Sequence, residues 1–166
     1  MNVSKRNAIE TQIKQAFAGV TLGSGISIRQ SVAIDGYGES HTAQEFAALP
    51  LSEITTDWLS VPLSELETIC TSHLDAEGFR YYIPALILSL HQDHDYTSLR
   101  VIGTISALCP SIEYMDSHLR HYALLNSEQR SAIANWLAIA EHLIPLATED
   151  RAMIQAAIED YWHQFT

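Results

Sequence analysis

The sequence predicts an all-α protein: a compact multi-helix bundle in a single helical domain over residues 1–166, with irregular segments between the helices. Three observations carry that reading. Apolar residues recur at steps of three and four along most of the chain, the period of one helix face. Residues that cap helix starts stand just before several of these stretches: Ser4, Asn126 and Thr148. The stretch with the most strand-like composition, Tyr96 to Cys109, has no partner strand to pair with. A chain of 166 residues can bury roughly 70% of its unfolded surface, so its core needs neither disulfide nor metal.

The elements follow in order. Ser4 caps a first helix whose apolar face is Ile9, Ile13, Ala16, Phe17 and Val20, with Gly19 placed to stop it. The loop GVTLGSG comes next. Residues 26–34 can be helix or strand. The helix reading is preferred because Ile28, Val32 and Ala33 share a helical face and Ser27 can cap it. DGYGES reads as a turn. Thr42 to Leu49 reads as a short helix, with Glu45 completing a capping box and Pro50 ending it. Trp58 falls in a loop, and Pro62 with Ser64 opens a helical turn that ends near Cys70.

Leu74 to Asp95 is the most apolar region. Phe79, Tyr82, Ile83, Leu86, Ile87 and Leu90 recur at helical spacing, but a mid-helix proline costs ~3 kcal/mol. The helix therefore either begins near Pro84 or kinks there, and a helix of about residues 84–92 is preferred, with an earlier turn started by Asp75. Residues 96–107 remain open between helix and strand, with helix or irregular packing preferred. Ile112 to Tyr122 is expected to be helical with Ile112, Met115, Leu119 and Tyr122 inward. Asn126 and Gln129 form a capping box for a helix whose stripe is Ile133, Trp136, Leu137, Ala140, Leu143 and Ile144. Thr148 caps the last helix, with Ile154, Ala157, Ile158, Tyr161, Trp162 and Phe165 on its buried side. The expected core includes Phe17, Ile83, Leu86, Ile133, Trp136, Leu137, Ile158 and Trp162.

Charge narrows the function classes. Twenty acids against nine bases give a net charge of −11. Residues 1–30 hold four bases and one acid, so only the first helix offers positive charge. Nucleic-acid binding is disfavoured, because phosphate neutralisation needs a basic patch. No apolar run approaches the ~20 residues of a membrane span, and the polar start MNVSKRNAIETQIKQ lacks a signal-peptide core. A cytoplasmic location is expected. Cys70 and Cys109 show no CxxC spacing and read as two small buried apolar residues.

Candidate chemistry is sparse. His91 and His94 stand at i and i+3, as do His118 and His121, and such pairs can meet one metal ion. His91 and His94 lack the HExxH pattern, however, and sit where a helix ends, where histidine is favourable beside exposed carbonyls. Gly19, Gly23 and Gly25 could cradle a phosphate, but match no phosphate-binding spacing. Glu65 and Glu67 point different ways on a helix. No nucleophile elbow or triad order appears. No catalytic residue, cofactor or metal ligand is assigned. The most distinctive segment is His73 to Pro84. There Asp75, Arg80, Tyr81 and Tyr82 can form an exposed recognition surface, or the aromatics can anchor the core while Arg80 pairs with Asp75 or Glu77.

From this segment the chain resembles a known bacterial family of small domains of unassigned function. The matching features are AFAGV in the first helix, Asp35-Gly36-Tyr37, Asp57-Trp58 followed by VPLSEL, then LDAEGFRYYIPA, and the late LNSEQRSAIANWL. The resemblance implies a mostly helical single domain and no particular activity.

The expectation is a non-enzymatic cytoplasmic interaction protein, an adaptor or an immunity-type binder of a basic partner. The alternative is a metal- or small-ligand-dependent enzyme using His91, His94, His118 and His121. Self-association into a homo-oligomer is a third possibility.

Overall fold

The computed structural model describes residues 3–37, 57–92 and 95–166. Among these residues there are helices and no strand. The helices are α1 (Val3–Ala16), α2 (Ile28–Tyr37), α3 (Leu63–Leu66), α4 (Ala76–Leu90), α5 (Leu99–Leu108), α6 (Met115–His121), α7 (Ser127–Leu137) and α8 (Thr148–Asp160). Short 3₁₀ turns lie between them, among them Trp58–Ser60, Thr71–His73, Ile112–Tyr114, Tyr122–Leu124 and Trp162–Phe165. The all-α prediction holds. The helix expected over Thr42 to Leu49 lies outside the described residues.

Helix α4 is the centre of the fold. It packs on α1, α5, α6 and the Tyr122–Leu124 turn, while α1 also packs on α7 and α5 on α8. Its composition explains this: Phe79, Tyr82, Ile83, Leu86, Ile87 and Leu90 are all buried. Fully burying such a side chain contributes ~1.5–3 kcal/mol. That total corrects the expected start at residue 84. Pro84 removes one hydrogen bond from the ladder, yet α4 runs unbroken from Ala76 because apolar contacts on both sides of the proline hold it. Asp75 is the N-cap, accepting from the Gly78 amide at 2.8 Å.

The two stretches left open between helix and strand are both helical. Ser27 Oγ accepts from the Gln30 amide (3.2 Å) while Gln30 Oε1 accepts from the Ser27 amide (2.8 Å), a reciprocal cap that starts α2. α2 continues through Asp35 to Tyr37, where a turn was expected, and packs on the Thr71–His73 turn. Ile28 is buried but Val32 is exposed, so the expected apolar face is only partly inward. α5 spans Leu99–Leu108, with Val101, Thr104, Ile105 and Leu108 buried.

Trp58 is not a loop residue. It sits in a short turn capped by Asp57, is buried, and donates from Nε1 to the Phe17 carbonyl at 2.8 Å. The Asn126–Gln129 capping box forms as expected. The last helix differs in detail: Ala147 is its N-cap, and no side chain caps it. Of the expected core, Phe17, Ile83, Leu86, Ile133, Trp136, Leu137 and Trp162 are buried, and Ile158 packs half-buried against them.

The C-terminal third is knit by polar groups inside an aromatic cluster. The last carbonyls of a helix lack intrahelical donors, and α5 obtains them from side chains far along the chain. His118 Nε2 faces the Ser106 carbonyl (3.1 Å), Tyr122 Oη donates to Ala107 (2.7 Å) and Trp162 Nε1 donates to Leu108 (2.7 Å). Arg130 donates to the Leu125 and Tyr122 carbonyls (3.0 and 2.7 Å) and to the Tyr161 hydroxyl, with its guanidinium over the Phe165 ring. Hydrogen bonds from a charged donor contribute more than neutral ones, ~1.5–3 kcal/mol each. Arg130 therefore acts as a structural hub.

Candidate functional site

The distinctive segment His73 to Pro84 meets the glycine loop. Asp75 Oδ1 accepts from the amides of both Gly78 (2.8 Å) and Ile26 (3.0 Å), Ser24 Oγ donates to Glu77 Oε2 (2.8 Å), and the Ile28 amide donates to Tyr82 Oη (3.2 Å). Backbones touch here. A methyl on Gly25 would stand 2.7 Å from the Gly78 nitrogen, and one on Gly78 would stand 2.6 Å from the Ile26 oxygen. The Ile26 amide at the end of the glycine loop thus serves the start of α4, while the Gly25 amide donates to the Leu22 carbonyl at 2.9 Å. Tyr81 and Tyr82 are fully buried in the core, which removes them from any recognition surface. Arg80 is half-buried and pairs with neither Asp75 nor Glu77. Its Nε is buried without a hydrogen-bond partner among the described residues.

Among the described residues, His91, His118 and His121 each turn to separate partners. His91 is not a solvated helix end; its side chain is wholly buried. Trp136 Nε1 donates to His91 Nε2 at 3.0 Å, which places the ring proton on Nδ1, donated to Glu10 Oε1 at 2.9 Å. Arg6 Nε donates to the same oxygen at 2.9 Å. Burial holds the His91 imidazole below its ordinary pKa despite the pull of Glu10. Partial burial pushes Glu10 up, but hydrogen bonds from Arg6 and His91 outweigh it and hold the carboxyl below its usual range. Both His91 nitrogens are committed, so neither can bind a metal in this arrangement. His118 turns both nitrogens to carbonyls, those of Tyr114 (3.0 Å) and Ser106 (3.1 Å). His121 stacks on Phe79 at 5.6 Å, and burial lowers its pKa against a hydrogen bond with the Leu74 backbone. His94 lies outside the described residues.

One group of three metal-ligating side chains does converge among the described residues. Asp35, at the end of α2, faces Cys70 and His73, with one donor atom from each lying within 4.8 Å of the others. Sequence reading missed this group, since Asp35 and His73 stand 38 positions apart and no spacing pattern joins them. It also placed both cysteines in the core. Cys109 is there, its thiol pushed up to about 12 by burial and by the Asp150 charge, but Cys70 is only half-buried.

Two surface features complete the picture. A groove of about 390 Å³ runs between α1, α4 and the segment around α3, with Arg6, Glu10 and Lys14 along one wall and Leu59 and Leu63 on the other. At the α5–α6 corner, Ile112, Tyr114 and Leu119 are exposed, although Ile112 and Leu119 were expected to face inward. The reason is local. Residues 112–114 form a separate 3₁₀ turn before α6, so the helical phase that would have buried Ile112 does not extend to it.

The described residues form an all-helical protein with one inter-segment cluster of metal-ligating side chains. The chain belongs to a family of unknown function, DUF6714, whose profile matches residues 5–166. No curated protein and no solved structure matches it. Among the described residues, no helix is long and apolar enough to cross a membrane.

Proposed function

We propose that this protein is a non-enzymatic cytoplasmic interaction module, one domain over residues 1–166, acting as an adaptor or immunity-type binder of a partner with a basic surface. The α5–α6 corner carries the reading. Ile112 is 82% exposed and Tyr114 59% exposed, with Glu113 and Asp116 between and beside them. Isolated exposed apolar residues are ordinary, but exposed aromatic and aliphatic anchors ringed by carboxylates match the anatomy of a protein interface. The chain carries 20 acids against nine bases. The Arg6–Glu10, Arg29–Glu65 and Arg100–Glu67 pairs cancel charge one for one and leave that imbalance unchanged. The exterior is left with a surplus of negative charge, which steers basic partners toward it.

The test is co-purification from the native host at low and high salt, comparing the wild type with Ile112→Asp and Tyr114→Ala. Both sites are exposed, so both variants are expected to retain the wild-type circular dichroism spectrum. A basic protein held at low salt, released at high salt and lost with Ile112→Asp is the expected result. No salt-sensitive basic partner, or one retained equally by both variants, overturns the proposal.

A further inference from the structure

We propose that Asp35, Cys70 and His73 form a binding site for one borderline-soft divalent cation, with Zn²⁺ the best fit to its donors. The donor set is a thiol sulfur, an imidazole nitrogen and a carboxylate oxygen, the three ligand types that Zn²⁺ draws from proteins. His73 Nε2 and Asp35 Oδ1 are already 3.3 Å apart. Ligands at ~2.0–2.1 Å around a tetrahedral ion are separated by about that distance, so this edge needs no rearrangement. The Cys70 sulfur lies within 4.8 Å of both.

The backbone that presents these groups is anchored. Ser31, fully buried and one turn before Asp35 on the same face of α2, accepts from the Cys70 amide at 3.4 Å and donates to the Ile28 carbonyl at 2.8 Å. On the other side, Thr71 Oγ1 donates to the Gly103 carbonyl of α5 at 3.4 Å. The turn that holds Cys70 and His73 is thus tied to both neighbouring helices, which fixes the backbone presenting these ligands. The site is open to solvent, with side-chain exposures of 36% for His73 and 62% for Asp35, so an ion can enter.

The charge balance also fits. On loading, the Cys70 thiol proton leaves to solvent and His73 offers Nε2 as a lone pair, with its proton on Nδ1. Thiolate, carboxylate and dication then sum to zero. Three protein ligands leave a fourth position for water or an exogenous ligand, the layout of an open rather than a closed zinc site.

The test is a titration of the full chain, purified without a histidine tag and kept reduced, with Co²⁺ followed by Zn²⁺. The expected result is one equivalent of Co²⁺ giving thiolate-to-cobalt charge-transfer absorption and tetrahedral visible bands, both removed by one equivalent of Zn²⁺. Cys70→Ser is expected to abolish the charge-transfer band, and His73→Ala and Asp35→Asn to weaken binding at least about tenfold. Cys109→Ala is expected to bind as the wild type does. Metal-free circular dichroism identifies any variant that has lost its fold. No thiolate band, a band that survives Cys70→Ser, or unchanged affinity in both His73→Ala and Asp35→Asn overturns the site.

Discussion

Among the described residues, two histidine–carboxylate pairs join different elements, and they are built for opposite ends. His91 and Glu10 join the end of α4 to α1, with the imidazole wholly buried and its second nitrogen taken by Trp136. His73 and Asp35 join the Thr71–His73 turn to α2 at the surface, beside a half-buried thiol. In the first pair every donor and acceptor of the ring has a protein partner, so the pair can only hold the fold together. In the second, a looser contact of 3.3 Å and a nearby sulfur leave coordination capacity unused. The difference teaches that a histidine's role follows from what occupies its second nitrogen and from its burial, rather than from its neighbours in sequence.

The comparison can be broken most decisively by substituting each histidine. His91→Ala opens a cavity and strands the Trp136 Nε1 donor in the core. It is expected to cost about 2–4 kcal/mol of stability. His73→Ala in metal-free protein is expected to stay within about 0.5 kcal/mol of wild type, as a surface substitution does. Urea unfolding of both variants measures the gap, and equal losses would erase the distinction.

Acid sharpens it next. His91 is held below its ordinary value of 6.5, so as pH falls through that value the unfolded chain takes up a proton that the folded chain refuses. Stability therefore declines on acidification. Glu10 adds to the loss at lower pH: its carboxyl is held below its ordinary 4.5, so its contribution is present above that value and disappears as pH falls toward the folded-state pKa. Urea midpoints at pH 7.5 and 5.5 are expected to differ in wild type and in His73→Ala, and to differ less in His91→Gln.

The smallest effect separates the two carboxylates. Glu10→Gln weakens two charge-assisted hydrogen bonds at a partly exposed site and is expected to cost about 1 kcal/mol. Asp35→Asn, at an exposed position, is expected to change metal-free stability by no more than a few tenths of a kcal/mol. Thermal melts in the presence of a chelator resolve the two.

What was legible in the sequence follows from how local each cause is. The Asn126–Gln129 cap and the Ile133, Trp136 and Leu137 stripe were readable because cap and stripe are set within a few residues. α4 was started too late because Pro84 is a local signal, whereas the packing that overrides it comes from α1, α5 and α6. His91 was read as a helix-end surface residue because its partner Glu10 lies 81 positions away. The Asp35, Cys70 and His73 cluster was invisible for the same reason: it exists only once α2 lies on the Thr71–His73 turn. Ile112 was placed inward because a 3₁₀ turn and an α-helix share nearly the same apolar spacing over a few residues.

The termination of α5 reaches further than the helix itself. Its closing carbonyl, at Leu108, is satisfied by the indole of Trp162, a residue 54 positions later. Shortening the chain before Trp162 would thus fray a helix in the middle of the sequence rather than merely trim an end. The final turn behaves as a clamp on a distant element, and its integrity sets whether the centre of the molecule stays closed.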